Sequence, residues 1–260
     1  MIFGGGVALT NPIIPTSTQN DFLQKRLKGI FGTDLSREIL QYRKAYNAVS
    51  TSRNFANVYS KGLSLRDSVA QTLSMTTEVV DPYEPADFSW LEYALPGFKI
   101  QLAAEATAYY PYINYAAFLE KAKTTSEKED DLFLLLNIAM YKDSMEQTFP
   151  SWVQQTWDYG GHSLLGSNKH IELLQSMDTI YQHTSLFNSH LITYKDALLS
   201  DILAEWVTYW DTQSNIQKEL KQIISSKFSC LTEEEQLQLQ QRLVAFDHPN
   251  QHNISLNNKN

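Results

Sequence analysis

Apolar residues recur at three- and four-residue intervals along most of the chain, and the gaps between these runs carry helix stop and start signals. The run Leu35, Ile39, Leu40, Tyr42, Tyr46, Val49 follows Asp34 at helical spacing. It predicts a long helix that continues to Tyr59 and stops at Gly62. Ahead of it, Thr18 or Asn20 caps a short basic helix over residues 21–31, closed by Gly32. Ser64 with Asp67, Ser126 with Glu129, and Thr232 with Glu235 each have the form of a capping box. They predict helices reaching Val80, Gln147 and Ala245. Similar periodicity predicts helices over 88–95, 112–123, 168–182, 185–209 and 212–226. A short helix after Pro150 carries Trp152 and Trp157 and ends at Gly160-Gly161.

The segment Phe98–Tyr110 is apolar on nearly every side of a helical wheel and reads as a central buried helix, divided from the next by Pro111. No strand-type alternation of useful length stands out. The expected fold is therefore all-α, a multi-helix bundle or orthogonal helical array of about ten helices. Residues 1–18 read as an extended arm, 19–248 as a single helical domain, and the Asn-rich 249–260 as a disordered tail. Two prolines in 81–87 mark the candidate internal boundary.

Composition narrows this further. Hydrophobic residues make up 43% and aromatic residues 12%, enough to build a core, while charged residues reach only 19%. A single cysteine, Cys230, excludes an intramolecular disulfide framework and any multi-thiolate metal site. The apolar start Met1–Leu9 lacks a basic region before it, and no run approaches the ~20 apolar residues of a membrane span. The longest apolar run, Leu132 to Met140, is interrupted by Asn137. These features favour a cytoplasmic chain, with a processed secreted chain as the alternative.

Charge is unevenly placed. Of the net −8, residues 1–66 hold nine Lys/Arg against three acids, whereas the rest holds 12 against 26. A basic N-terminal layer packed on an acidic remainder accounts for this, and an anionic partner for the N-terminal helices is the sharper reading. Nucleic acid is not expected, since the acidic remainder repels phosphate and no binding motif is present.

Two places carry candidate chemistry. In Trp157-Asp158-Tyr159-Gly160-Gly161-His162, the glycines permit close backbone approach to a ligand. Asp158 and His162 form a candidate acid–base pair there, and Trp157 and Tyr159 candidate walls. Glu105, among small residues on the expected central helix, is a candidate perturbed carboxylate, with Tyr109 as a hydroxyl donor beside it. An interhelical turn and a buried, satisfied glutamate are the plain structural readings of the same residues.

Four of six histidines (His162, His170, His183, His190) lie close in sequence, but their spacing gives no metal-ligand pair. Gly4-Gly5-Gly6 lacks the Lys and Ser/Thr of a phosphate loop, and no hydrolase or kinase signature is found. Tyr141-Lys142-Asp143 resembles Tyr194-Lys195-Asp196, each followed by two tryptophans, a similarity read as coincidence. No cofactor, metal or catalytic residue is expected. The sequence favours a non-catalytic helical protein binding a protein or small molecule. The alternative is an enzyme or small-molecule binder with its pocket around Glu105 and the Asp158–His162 loop.

Overall fold

Periodic burial of apolar side chains builds most of the chain into helices, which hold 69% of the described residues. The computed structural model describes residues 17–76, 88–102, 108–141, 150–157, 160–204, 207–247 and 254–256. Among them are nine helices, α1 (Ser17–Asn47), α2 (Ser52–Thr76), α3 (Ser89–Ala94), α4 (Tyr115–Ala122), α5 (Lys128–Tyr141), α6 (Lys169–His183), α7 (Asn188–Leu203), α8 (Gln213–Ser226) and α9 (Glu233–Ala245). Six short strands are interleaved: β1 (Phe98–Leu102), β2 (Tyr109–Ile113), β3 (Val153–Gln155), β4 (Gly161–Ser163), β5 (Thr208–Tyr209) and β6 (Ser255–Leu256). The fold is thus helix-dominated with two small sheets, not purely α.

The helices form where expected, for the expected reason, but their ends differ. Gly32, at φ 70°, breaks the helical path within α1, so the stop read there is real. The long helix does not run on to Gly62; it ends at Asn47, and α2 passes straight through Gly62 and the Ser64/Asp67 signal. Gly62 serves close packing instead: a β-carbon there would come within 3.1 Å of the Tyr42 and Phe98 rings. On the face of α2 turned inward, Phe55, Val58, Tyr59, Leu65, Val69 and Leu73 are buried at helical spacing.

Ser126 takes a left-handed φ of 60° and α5 begins at Lys128; Thr125 and Ser52 instead donate their hydroxyls to the buried Asp130 carboxylate. Thr232 and Glu235 do form the reciprocal capping box at the start of α9.

The segment expected as a central helix is a β-hairpin in its described parts. Phe98 pairs with Ile113, Ile100 with Pro111 and Leu102 with Tyr109 in an antiparallel ladder. Burial alternates, Phe98 and Ile100 inward and Lys99 outward, with Tyr109 and Pro111 inward on the partner strand. Period two, carried by Phe98-Lys99-Ile100-Gln101-Leu102 over only five residues, is the pattern that decides it. Pro111 is tolerated because a two-stranded sheet leaves an outer edge where its missing N–H is not needed.

The second sheet runs in the order β3-β4-β5-β6, antiparallel between β3 and β4 and parallel thereafter. It replaces the helix expected after Pro150 and ends the helix expected over 185–209 at Leu203. β6 belongs to the stretch read as a disordered tail: Ile254 is buried and Ser255–Leu256 pair with β5. Of the arm read as extended over residues 1–18, Ser17 and Thr18 open α1 instead, while residues 1–16, the loop 81–87 and the remainder of the tail lie outside the described residues. Buried side chains from Leu23 to Ile254 join one hydrophobic cluster, with ring-on-ring contacts such as Phe133 stacked on Phe187 at 4.1 Å.

Candidate functional site

Three helices turn one face each toward a common cavity of about 630 Å³. Tyr59, Leu63 and Arg66 come from α2, Asn137 and Tyr141 from α5, and His190, Thr193, Tyr194 and Ala197 from α7. Spacings of three, four and seven residues put each set on a single stripe of its helix. Ile113 from β2, Tyr115 from α4, and Pro150 and Trp152 from the turn before β3 complete the wall. Tyr141 meets both Trp152 and Tyr194 edge-on, at centroid distances of 6.1 and 5.8 Å.

A polar cluster is set into this aromatic wall. Asn137 is fully buried, and its Nδ2 donates to the Phe133 carbonyl at 2.7 Å. A carbonyl only accepts, so the amide is fixed with Oδ1 on the other side. There Tyr59 and Tyr194 both donate their hydroxyl protons to Oδ1, at 3.1 and 2.5 Å. Burial pushes both phenols well above the usual tyrosine range, reinforced at Tyr59 by Tyr194 and Tyr115 and at Tyr194 by Tyr115 and Tyr141. It outweighs the hydrogen bonds with Tyr59 and Asn137 that lower Tyr194, so both stay protonated.

His190 is pushed below the usual histidine range by burial and is held neutral at physiological pH. Its Nε2 lies 2.9 Å from Ser60 Oγ. That is the spacing of a nucleophile and its base. Ser60, however, sits in mid-α2, where neighbouring amides are committed to the helical ladder and cannot hold an oxyanion.

Arg66 supplies the one permanent charge among the described lining residues. Burial works to lower its pKa, but the hydrogen bond to Asp67 and the charge of that carboxylate act against it and the guanidinium stays charged. Nε and Nη2 both contact Asp67 Oδ1 at 2.8 Å.

Of the residues singled out from sequence, the described ones, Tyr109, Trp157 and His162, fall elsewhere. Tyr109 is buried in β2 with its ring against Phe88 at 4.6 Å, and Trp157 is 95% exposed. His162 lies in β4 beside the Trp210 ring, its Nδ1 buried and without a hydrogen-bond partner among the described residues. Tyr109 and His162 thus belong to different sheets, and neither they nor Trp157 line the cavity. Glu105, Asp158 and Tyr159 lie outside the described residues. Gln101 and Tyr109, on either side of Glu105 in sequence, lie in β1 and β2 of the hairpin.

Two other buried polar clusters brace the fold. Asp201 Oδ2 accepts from Ser163 at 2.5 Å and faces His170 Nε2 at 2.8 Å. The carboxylate sits between hydroxyl and ring, so His170 cannot take the Ser163 proton as a triad histidine does. Glu219, 1% exposed, accepts from the amides of Gly166, Asn168 and Ile171 at the start of α6. It fills the anion site of that helix with a side chain of the protein itself. Among the described residues no group of three or more His, Cys, Asp or Glu is placed to hold a metal, and no helix is long and apolar enough to cross a membrane.

The basic N-terminal charges are largely occupied: Arg26 stacks over Trp90 at 4.3 Å, Arg43 over Tyr93 at 3.9 Å, and Lys61 pairs with Glu38. A smaller cleft of about 370 Å³ at the Gly32 break retains Lys28, Arg37 and Lys44, Arg37 already pairing with Asp34 at 3.0 Å. Comparison with family models, curated proteins and solved structures finds no match for this chain.

Proposed function

We propose that the chain is a ligand-binding protein whose cavity between α2, α5 and α7 holds a small aromatic molecule. The observation that carries this reading is the aromatic wall of about 630 Å³ with a buried Tyr59–Asn137–Tyr194 cluster set into it. The volume falls in the ~300–1,000 Å³ range of small-molecule sites, and an apolar lining with a few fixed polar atoms is their usual character. Burying a polar cluster in a core has a stability cost that a plain packing role does not require.

Binding without chemistry is favoured over catalysis. The tyrosines stay protonated, and Ser60 beside His190, in mid-α2, has no oxyanion donors next to it. Native mass spectrometry of the protein purified from its own source tests the reading. A mass excess under gentle conditions that vanishes on denaturation is expected, and its loss in Ala197→Trp, which fills the cavity. An excess that persists unchanged in Ala197→Trp, or no excess at all, overturns it.

A further inference from the structure

Resting on that ligand-binding reading, we infer that the ligand is an aromatic monocarboxylate whose acid group is held by Arg66 and whose ring carries an O–H or N–H donor. Three observations on separate residues converge on this chemistry.

The first is the arrangement of protons around Asn137. Both phenol protons are used inside the cluster, by Oδ1 and by the contact between the two hydroxyls, and Nδ2 is committed to the Phe133 carbonyl. What the cluster offers a ligand is therefore the remaining lone pairs of the two phenol oxygens, which can only accept. A ligand carbonyl placed against them is repelled, and a hydroxyl or N–H is bound. The selectivity is large when such a group is buried, because an unpaired partner bears its full desolvation cost.

The second is Arg66. Its side chain is 25% exposed, and the Asp67 partner is 65% exposed, so water and salt weaken that pair. Asp67 takes the edge formed by Nε and Nη2 through a single oxygen. Among the described residues no other carboxylate pairs with Arg66, which leaves the outer Nη1/Nη2 edge of the guanidinium for a carboxylate to engage with two parallel bonds. No acidic side chain is found among the described residues lining the cavity, and the carboxylate beside Arg66, that of Asp67, is 65% exposed and screened by water.

The third is the wall. Tyr115, Tyr141 and Trp152 offer ring faces and edges, which suit a flat aromatic body better than a flexible alkyl chain.

Isothermal titration calorimetry with 6-hydroxy-2-naphthoate, its neutral ketone analogue 2-acetyl-6-hydroxynaphthalene, 2-naphthoate and dodecanoate tests the inference. The hydroxynaphthoate is expected to bind the wild-type protein about tenfold more tightly than the ketone. It is also expected to bind more tightly than 2-naphthoate or dodecanoate. Arg66→Gln should erase the preference for carboxylate over ketone, with Arg66→Lys retaining part of it. An unchanged melting temperature shows that Arg66→Gln still folds. Equal binding of carboxylate and ketone by the wild type overturns the anionic assignment yet leaves the cavity as a site. Tighter binding of dodecanoate overturns the aromatic assignment. Failure of every compound, together with no mass excess in the native protein, removes the ligand-binding reading itself.

Discussion

Tyr194 on α7 donates its hydroxyl proton to Asn137 Oδ1 on α5 over 2.5 Å, across 57 positions of sequence. Tyr59 on α2 donates to the same oxygen, so one amide ties three helices together at the floor of the cavity. The arrangement sets both the stability of this part of the core and the polarity it shows to a ligand.

Removing that acceptor leaves two phenol protons without their partner. Asn137→Leu is expected to lower unfolding free energy by about 1–3 kcal/mol in urea titrations. Tyr194→Phe, which leaves Tyr59 still bonded, should cost about 1 kcal/mol or less. An Asn137→Leu protein as stable as wild type would show that the cluster is not formed.

Glu219 accepts from three backbone amides with each of its oxygens used. Glu219→Gln turns one of those acceptors into a donor facing donors. A loss of about 2–3 kcal/mol is expected, with faster hydrogen exchange at the amides of Gly166, Asn168 and Ile171. Unchanged exchange at those three positions contradicts the capping role.

The Glu235 carboxyl is subject to opposed effects: burial raises it, but the Lys195 ammonium at 2.6 Å and the Thr232 amide outweigh burial and hold it below the usual range. A carboxyl whose folded pKa is depressed contributes stability above its unfolded pKa and loses it as pH falls through the folded value. Stability is therefore expected to decline on acidification below about pH 4.3, where an unfolded glutamate begins to protonate. Glu235→Gln should flatten this limb of the stability profile. An identical acid limb in the variant rules the pair out as its source.

Gly97 joins α3 to β1 at φ 91°, and a β-carbon there would fall 2.6 Å from Phe118 Cζ, a fully buried ring. Phe118 is itself boxed in by the rings of Tyr46, Tyr59 and Phe98 and cannot yield cheaply. Gly97→Ala combines backbone strain with overpacking and should cost about 2–4 kcal/mol in thermal or urea unfolding. A near-neutral Gly97→Ala would mean that the turn relaxes freely.

Helix content was legible in sequence because amphipathic spacing and caps are local signals. The Thr232/Glu235 box and the Gly32 break read correctly for that reason. Gly62 misled because a helix-interior glycine looks the same whether it ends a helix or makes room for Tyr42 and Phe98. The hairpin was missed because the alternation of Phe98-Lys99-Ile100-Gln101-Leu102 lasts only five residues, and Tyr109–Ile113 carries no matching polar alternation to show period two against period 3.6.

The cavity was less legible, since it joins residues 59, 137 and 194, which no spacing rule connects. Two local signals did point to it. Asn137 interrupts the longest apolar run of the chain, and a polar residue there must find partners. Tyr141 and Tyr194, the leading residues of the two similar tripeptides, both line the cavity and touch each other.

Fluorescence titration with the neutral apolar probe N-phenyl-1-naphthylamine tests the cavity most directly, comparing wild type with Ala197→Trp. Saturable binding at one site per chain in wild type, lost in Ala197→Trp at unchanged melting temperature, is expected. Equal binding by the two proteins, or no saturable binding by wild type, contradicts a small-molecule site between α2, α5 and α7.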